Sequence, residues 1–419
     1  MDDAKVTRRL FLQGVGGVIA HSAMTSDARA AGKNPNVEYG QSTLPLGIRS
    51  RRIDNNNGVS MHMLEAGFEA PGRPCVVLLH GFPELAYTWR KQLLPLAQAG
   101  FHVIAPDLRG YGRSVQTPVT FDDDLLSFSL LNRVSDVLGL VRALGYEKVA
   151  GVVGHDWGSP TAAWCALVRP DVFRSVVLMS TPFSGSPWLP LDTANKPKAA
   201  SAQGDIDQEL AALPRPRKHY LMYSATRSAN EDMWRAPQGV HDLLRALYHF
   251  KSADWKGNKP FVLKSAAASE LAKMPTYYVM DLDKGIAATM AAEMPTRSQI
   301  AACRWMTEDE LRVYSTEYIR TGFQGGLNSY RTLMDKRYSG ELRSFAGRTI
   351  DVPSCFIGGA SEWGVYQSPG AFEEMQQGAC TRLLGVHLVE GAGHSLAEEQ
   401  PEQVNRLLLE FFKRSAQMI

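Results

Sequence analysis

The sequence predicts an α/β protein in which a helical insert interrupts a mostly parallel, doubly wound sheet. Three observations carry this prediction. Short apolar runs alternate with helical patterns over residues 50–180, and such alternation is typical of strand–helix–strand units. Residues 191–345 then hold helix-like segments and no clear buried strand run. The alternation returns over residues 346–419, so this piece is expected to pair with residues 31–190 to complete one sheet.

Each predicted strand is a continuous apolar run that is rich in β-branched residues. Such runs are expected for parallel strands that are buried on both faces of a sheet. Four runs precede the helical insert and two follow it. They are residues 75–79, 102–105, 149–153, 176–179, 352–357 and 383–389.

The predicted helices have clear starts and stops. Apolar residues recur at helical spacing over residues 130–141, and Gly145 is placed to end that helix. Thr307 and Glu310 form a capping-box pattern that opens a helix inside the insert. The last helix begins at Pro401, and its apolar residues fall at i, i+3, i+4 and i+7.

The composition of the chain narrows its class of partners. Of 419 residues, 44% are hydrophobic and 21% are charged, which excludes a disordered or fibrous protein. The net charge is +2, so nothing favours nucleic acid or an anionic surface as a partner. A near-neutral chain fits a neutral, apolar small-molecule substrate that needs no electrostatic steering.

The first 30 residues have the three parts of an export signal. Arg8 and Arg9 precede Leu-Phe-Leu, residues 14–20 are apolar and Gly-rich, and Ala28-Arg29-Ala30 is a small-residue cleavage site. The apolar run is too short to span a bilayer, so no stable membrane anchor is expected. The paired arginines resemble a bacterial twin-arginine signal. This resemblance implies transport by the twin-arginine machinery, removal of residues 1–30, and a periplasmic or secreted protein.

The cysteine count excludes a disulfide scaffold, because five cysteines in a chain of this length are too few. No two of them form a Cys-x-x-Cys pair, so a zinc ribbon is not expected. Export to an oxidising compartment allows one or two bridges, and the odd count leaves at least one thiol unpaired. The five are Cys75, Cys165, Cys303, Cys355 and Cys380.

Residues 154–158 read Gly-His-Asp-Trp-Gly and lie between a predicted strand and a predicted helix. Gly-x-nucleophile-x-Gly in this context is the nucleophile elbow of the α/β-hydrolase fold. The central residue is Asp156, and a carboxylate is anionic at neutral pH without a base to activate it. It suits displacement at saturated carbon and forms an alkyl-enzyme ester that water must then hydrolyse. The sequence therefore predicts Asp156 as a nucleophile.

A base and an orienting acid follow in the chain order of this fold, which is nucleophile, acid, base. His394 lies in a Gly-rich loop after the last predicted strand and suits the role of base toward water. Glu362 is the only carboxylate in residues 358–364, the loop after the penultimate strand. The other position for such an acid, after the strand at 176–179, holds none. Since Glu is one methylene longer than Asp, the loop must accommodate it.

An oxyanion hole is predicted from the residues after the strand at 75–79, which read His80-Gly81-Phe82-Pro83. A backbone N–H in this turn and the N–H that follows the nucleophile would both face the ester oxygen. These groups belong to Phe82 and Trp157.

With these motifs, residues 45–419 resemble the epoxide hydrolases of the α/β-hydrolase fold. The resemblance implies that two tyrosines of the inserted cap, residues 191–345, hold the epoxide oxygen. Tyr330 is one, and Tyr220 is the other, with Tyr223 as the alternative. It also implies a small apolar epoxide and water as reactants, a diol as product, and no metal or organic cofactor. The motifs that carry it are residues 80–83, 107–114, 154–158, 219–223 and 322–331.

Two other functions compete with this interpretation. Haloalkane dehalogenases use the same Asp–His machinery and resemble this elbow, but their oxyanion turn usually has Asn where this chain has Phe82. Haloacid dehalogenases of the fluoroacetate type have Arg at the Trp157 position. A non-catalytic small-molecule-binding protein on the same fold is the alternative from another class. The intact set of predicted nucleophile, acid and base argues against it.

Overall fold

A computed structural model describes residues 39–40, 42–187 and 205–418. The predicted export signal lies outside these residues. Within them, the predicted α/β sheet is confirmed as eight strands in the order β1-β2-β4-β3-β5-β6-β9-β10. The strands are β1 (Arg49–Asn56), β2 (Val59–Ala66), β3 (Cys75–Leu79), β4 (His102–Pro106), β5 (Gly151–His155), β6 (Val176–Met179), β9 (Ser354–Gly359) and β10 (Leu383–Val389).

Six of these strands are parallel, and their register aligns the ends that carry the site. Leu79 pairs with Gly154, and His155 pairs with Met179, which in turn pairs with Ile357. The carboxyl ends of β3, β5, β6 and β9 therefore meet at one edge of the sheet. Because β6 and β9 are neighbours, the pieces before and after the insert complete one sheet.

The first two strands form an antiparallel hairpin at the sheet edge that was not predicted from the sequence. β1 carries mostly polar residues and lacks a continuous apolar run, which is common for an edge strand. The turn signal was present, however: Asn57 and Gly58 both have positive φ, and Asn-Gly is the strongest short hairpin signal.

Helices pack against the sheet and against one another. The helices of the two sheet-forming pieces are α1 (Arg90–Gln98), α2 (Leu130–Ala143), α3 (Gly158–Val168), α14 (Ala371–Glu374), α15 (Leu396–Glu399) and α16 (Pro401–Ala416). α1 contacts α16, α2 contacts α3, and the amphipathic patterns predicted for α2 and α16 supply their buried faces.

The described part of the insert is helical, and Thr307 and Glu310 form the predicted capping box. It also contains a short antiparallel pair, β7 (Arg217–His219) with β8 (Val279–Asp281), which the sequence did not predict. A strand of three residues is too short to give a periodic signal in the sequence. Its helices are α4 (Ile206–Ala211), α5 (Tyr220–Ser224), α6 (Ser228–Trp234), α7 (Gly239–Lys251), α8 (Ala268–Leu271), α9 (Ile286–Ala291), α10 (Arg297–Ala302), α11 (Glu308–Thr321), α12 (Gln324–Met334) and α13 (Lys336–Glu341).

Two further findings concern the state of the cysteines and the length of the helices. All five cysteines lie in the described part of the chain, and each is a free thiol, four of them buried. Across the same residues, no helix has both the length and the apolar character needed to cross a membrane.

Candidate active site

The turn between β5 and α3 places Asp156 at the carboxyl edge of the sheet. Asp156 has φ +49°, a left-handed conformation that L residues other than glycine seldom adopt. The flanking glycines are required by close backbone approach. A Cβ on Gly154 would lie 2.0 Å from the Gly158 carbonyl oxygen, and one on Gly158 would lie 2.2 Å from the Leu79 carbonyl oxygen. The elbow therefore forms as the spacing of its glycines predicts.

The turn after β3 holds one oxygen of the Asp156 carboxylate. The backbone N–H of Phe82 donates a hydrogen bond of 2.8 Å to Asp156 Oδ1. Gly81 is small by necessity, since a Cβ there would lie 2.3 Å from Cβ of Asp156. Trp157, the second predicted donor, follows Asp156 directly, but the described residues include no hydrogen bond from it to the carboxylate.

His394 lies beside the other oxygen of the same carboxylate. Its Nε2 is 3.7 Å from Asp156 Oδ2 and, although buried, has no hydrogen-bond partner among the described residues. The loop that carries His394 is tied to the end of α7, because its backbone N–H donates to the Lys251 carbonyl at 2.9 Å. The imidazole of His394 is thus held with its Nε2 atom directed toward the Asp156 carboxylate.

Glu362 holds the opposite nitrogen of the imidazole. Its Oε1 lies 2.5 Å from His394 Nδ1, and it also accepts a hydrogen bond from the Ser180 hydroxyl. The extra methylene of Glu fits because Gly364 leaves the space open: a Cβ there would lie 2.6 Å from Glu362 Oε1. Ser180 occupies the alternative acid position after β6 and contributes a hydroxyl to the same cluster.

A second buried pair, which sequence analysis missed, lies behind the nucleophile. His155 Nδ1 is 2.9 Å from Glu84 Oε2, and His155 Nε2 is 2.8 Å from the His394 carbonyl oxygen. Glu84 also accepts from the Gly81 N–H at 2.9 Å. The sequence does hold a signal for this pair, because a Glu directly follows His-Gly-Phe-Pro.

The pKa values of Glu84 and His155 shift in opposite directions. Burial alone would raise the pKa of Glu84, but the charge and hydrogen bond of His155 outweigh burial and hold it at about 2. Burial alone would lower the pKa of His155, but the charge and hydrogen bond of Glu84 raise it to about 9. The pair is therefore an ion pair at neutral pH.

Glu84, His155 and His394 are the one group of metal-ligand residue types that lie close together in the described residues. Both ring nitrogens of His155 face acceptors, a carboxylate and a carbonyl, so the ring must carry both protons. An imidazolium has no lone pair for a metal ion. The cluster therefore does not fit a metal site.

The cap places aromatic side chains against Trp157 and Phe82, the neighbours of Asp156 in the site. The ring of Tyr330 lies 5.0 Å from Trp157, 5.6 Å from Phe82 and 6.1 Å from Tyr220, centroid to centroid. Burial, and then the neighbouring Tyr277 and Asp156, raise the pKa of Tyr330 and Tyr220 well above the ordinary value. Both phenols are therefore protonated at neutral pH and able to donate.

The two candidates for the second cap tyrosine have different surroundings. The Tyr220 hydroxyl donates to Gln367 Oε1 at 2.9 Å, and its ring neighbours Tyr330 and Tyr277. The Tyr223 hydroxyl instead donates to Asp232 at 2.6 Å, inside the cap. The geometry favours Tyr220 over Tyr223.

Phe82 supplies no polar group to the site beyond its backbone N–H. Its buried ring packs edge-on against Tyr330, Tyr111 and Phe323. The amide donor that a dehalogenase of this fold usually has at this position is therefore replaced by an apolar ring.

The α/β-hydrolase fold family matches residues 74–259, so fold and comparison define an α/β hydrolase. Epoxide hydrolase A of Mycobacterium tuberculosis is 31% identical in an alignment of 374 residues that covers 87% of this chain and 98% of that protein. Epoxide hydrolase B of the same organism is 31% identical over 364 residues, covering 86% and 97%. This chain therefore belongs to the epoxide hydrolases of the α/β-hydrolase fold.

Solved structures agree with this assignment. An epoxide hydrolase from an endophytic Streptomyces has a TM-score of 0.68 to this chain at 31% identity. The match covers 88% of this chain and 96% of the Streptomyces chain. Epoxide hydrolase I of potato, Solanum tuberosum, has a TM-score of 0.65 at 27% identity and covers 88% and 99%.

Proposed function

We propose that this protein hydrolyses an epoxide to a vicinal diol through an alkyl-enzyme ester on Asp156. The observation that carries the proposal is the position of the Asp156 carboxylate. Its Oδ1 accepts from the Phe82 N–H, its Oδ2 faces the unpartnered Nε2 of His394, and the cap tyrosines lie above it. Names of relatives support the same reaction class.

In the first step, Asp156 Oδ2 attacks an oxirane carbon and forms the ester bond as the carbon–oxygen bond of the ring breaks. Charge develops on the oxirane oxygen. Tyr330 and Tyr220 donate hydrogen bonds to this oxygen and supply its proton. Since Oδ1 is held by Phe82, it becomes the carbonyl oxygen of the ester.

In the second step, His394 Nε2 takes a proton from water, and the resulting hydroxide attacks Cγ of Asp156. The tetrahedral oxyanion forms at Oδ1, within reach of the Phe82 N–H and of the expected Trp157 N–H. Glu362 stabilises the imidazolium. The ester bond then breaks, and the leaving alkoxide takes the proton of the new Asp156 carboxyl group, which completes the diol and restores the carboxylate. The proton on His394 returns through solvent to the tyrosinate, so one water is consumed. Neither step needs a metal or an organic cofactor.

Trapping the ester tests this proposal. A His394→Asn variant is expected to form the alkyl-enzyme at a near-normal rate and to hydrolyse it slowly. Intact mass analysis after addition of styrene oxide would then find the protein heavier by one substrate, with the added mass on the peptide that contains Asp156. An Asp156→Asn/His394→Asn double variant is the control and should stay unmodified. No adduct on the single variant, with normal diol formation, would contradict the mechanism.

We also propose, from the sequence alone, that residues 1–30 direct export by the twin-arginine machinery to the periplasm or beyond. The support is the pattern Arg8-Arg9-Leu-Phe-Leu, the short apolar run and the Ala28-Arg29-Ala30 site. Replacing both arginines with lysine should leave the protein in the cytoplasmic fraction at its full, unprocessed mass. Unchanged export of that variant would contradict the proposal.

A further inference from the structure

The hydroxyl of Tyr220 has a partner outside the cap, the side chain of Gln367. Tyr220 Oη lies 2.9 Å from Gln367 Oε1 and donates its proton to that amide oxygen. A phenol has one proton to donate, so in this arrangement Tyr220 has none for an epoxide oxygen. The hydrogen bond to Gln367 must therefore change before Tyr220 can act on a substrate.

Gln367 lies in the same turn as the acid Glu362. Its backbone N–H donates to the Trp363 carbonyl at 2.8 Å, which fixes the position from which its side chain extends. The turn thereby serves both proposed steps of the reaction. Glu362 contacts His394, and Gln367 contacts Tyr220.

The amide of Gln367 has both space and donors for a second arrangement. The residue is half-buried and lines a cavity of about 760 Å³ together with His219, whose ring lies 5.2 Å from that of Tyr220. Among the described residues, its Nε2 has no hydrogen-bond partner. A primary amide carries an acceptor on one side and two donors on the other. A half-turn of this amide would therefore direct Nε2 toward the same hydroxyl oxygen.

Tyr223 offers a comparison within the same chain, because its hydroxyl donates to a carboxylate, that of Asp232. Burial is the largest effect on both tyrosines and raises the pKa of each. The hydrogen bond and charge of Asp232 raise the pKa of Tyr223 further, whereas the hydrogen bond with Gln367 lowers the pKa of Tyr220. An amide partner thus favours loss of the phenol proton, and a carboxylate partner opposes it.

We propose that Gln367 is a positioning residue that supports Tyr220 both as a phenol and as a phenolate. In the free enzyme, the amide oxygen accepts from the phenol. When an epoxide binds, the amide turns, so that Nε2 donates to Tyr220 Oη while Oη donates to the oxirane oxygen.

The proton and the charge then move in opposite directions along this chain of hydrogen bonds. As the ring carbon–oxygen bond breaks, its electron pair stays on the oxirane oxygen, which takes the proton from Tyr220 Oη. The negative charge left on Oη keeps the hydrogen bond from Gln367 Nε2, now a charge-assisted one. This inference rests on the proposed epoxide hydrolysis and adds to it the group that stabilises the tyrosinate.

Rapid mixing with styrene oxide, with ester formation and ester hydrolysis measured separately, tests this role. Gln367→Met keeps the length of the side chain but removes its acceptor and its donors. It should slow ester formation about tenfold, the loss of one charge-assisted hydrogen bond. Ester hydrolysis should stay unchanged, because Glu362 and His394 keep their contact.

Gln367→Glu should slow ester formation more, by about 10²-fold at pH 8, since a carboxylate accepts from the phenol but cannot donate to the tyrosinate and repels it. This loss should shrink as pH falls and the new carboxyl group gains a proton that it can donate. Gln367→Met should show no such recovery.

A double-mutant cycle separates this role from general support of the fold. In a Tyr220→Phe background, Gln367→Met should cause no further loss of ester formation, because the two side chains act as one unit. Gln376→Met is the matched control, since this exposed glutamine donates to the Phe372 carbonyl on the protein surface. It should leave both steps unchanged.

Three results would overturn the inference. They are unchanged ester formation in Gln367→Met, an equal loss with and without Tyr220, and an equal slowing of ester hydrolysis, which would mean that Gln367 only supports the turn of Glu362. In each case the wild type still forms and hydrolyses the ester, so the proposed function stands. If the wild type formed no ester with any epoxide of a substrate panel, the proposed function would fail, and this inference with it.

Discussion

Glu362 Oε1 lies 2.5 Å from His394 Nδ1, and this contact exists because the residue two positions later, Gly364, has no side chain. The longer Glu needs the volume that a Cβ at residue 364 would fill, 2.6 Å from the same oxygen. The acid and its glycine are thus one unit, in which the choice of Glu depends on the choice of Gly.

Gly364→Ala should therefore displace the Glu362 carboxylate from His394 and slow hydrolysis of the ester. We expect kcat to fall by about 10²-fold, within the range of one acid–base group, and the alkyl-enzyme to accumulate. Glu362→Asp in the Gly364→Ala background should restore part of kcat, because the shorter acid avoids the new methyl group. Gly340→Ala, where a Cβ meets nothing within 4 Å, is the control. A Gly364→Ala enzyme with unchanged kcat would contradict the steric account.

Tyr330→Phe and Tyr220→Phe should each lower the rate of ester formation, since each removes one donor to the oxirane oxygen. We expect about 10- to 10²-fold for either variant and a larger loss for the double variant, measured by pre-steady-state quenching of intrinsic fluorescence. Tyr223→Phe should leave ester formation unchanged. It loses only the hydrogen bond to Asp232, worth about 1 kcal/mol of stability. If Tyr223→Phe were the slow variant, the assignment of Tyr220 would be wrong.

The Glu84–His155 pair predicts a pH dependence of stability. The folded pKa of His155, about 9, lies above its ordinary 6.5, so its contribution is complete below pH 6.5 and is lost as pH rises through 9. The folded pKa of Glu84, about 2, lies below its ordinary 4.5, so its contribution is complete above pH 4.5 and is lost as pH falls through 2. The pair is thus most stabilising between pH 4.5 and 6.5.

Urea unfolding of wild type and Glu84→Gln at several pH values checks this window. The loss in free energy of unfolding caused by Glu84→Gln should be largest near pH 5.5 and should shrink as pH approaches 9. The His155 part of that change is on the order of 3 kcal/mol. A loss that stays constant from pH 5.5 to pH 9 would refute the assignment of an imidazolium to His155.

The parts of the fold that the sequence predicted are those with a strong local pattern. Buried parallel strands such as β5 give continuous apolar runs, and the elbow around Asp156 has glycines that close backbone contacts require. β1 was missed because a polar edge strand has no such run, and β7 and β8 because three residues give no period. The sequence thus predicts those strands and turns whose structure depends mainly on their own residues.

The site residues that were missed depend on contacts between distant parts of the chain. Ser180 reaches Glu362 only because β6 and β9 are neighbours. The Lys251 carbonyl holds the His394 loop only because the end of α7 lies beside that loop. Neither residue belongs to a motif, so their roles follow from tertiary structure alone. Glu84 is different, since it directly follows the turn at residues 80–83 and was open to prediction.

The covalent ester on Asp156 is the central claim, and a single turnover in water enriched in oxygen-18 tests it most directly. With enzyme in excess over an epoxide, the account predicts that the first diol contains no solvent oxygen. Its new oxygen comes from Asp156, and the label appears in the carboxylate of the peptide that contains Asp156. Solvent label in that first diol, with none in Asp156, would contradict the account.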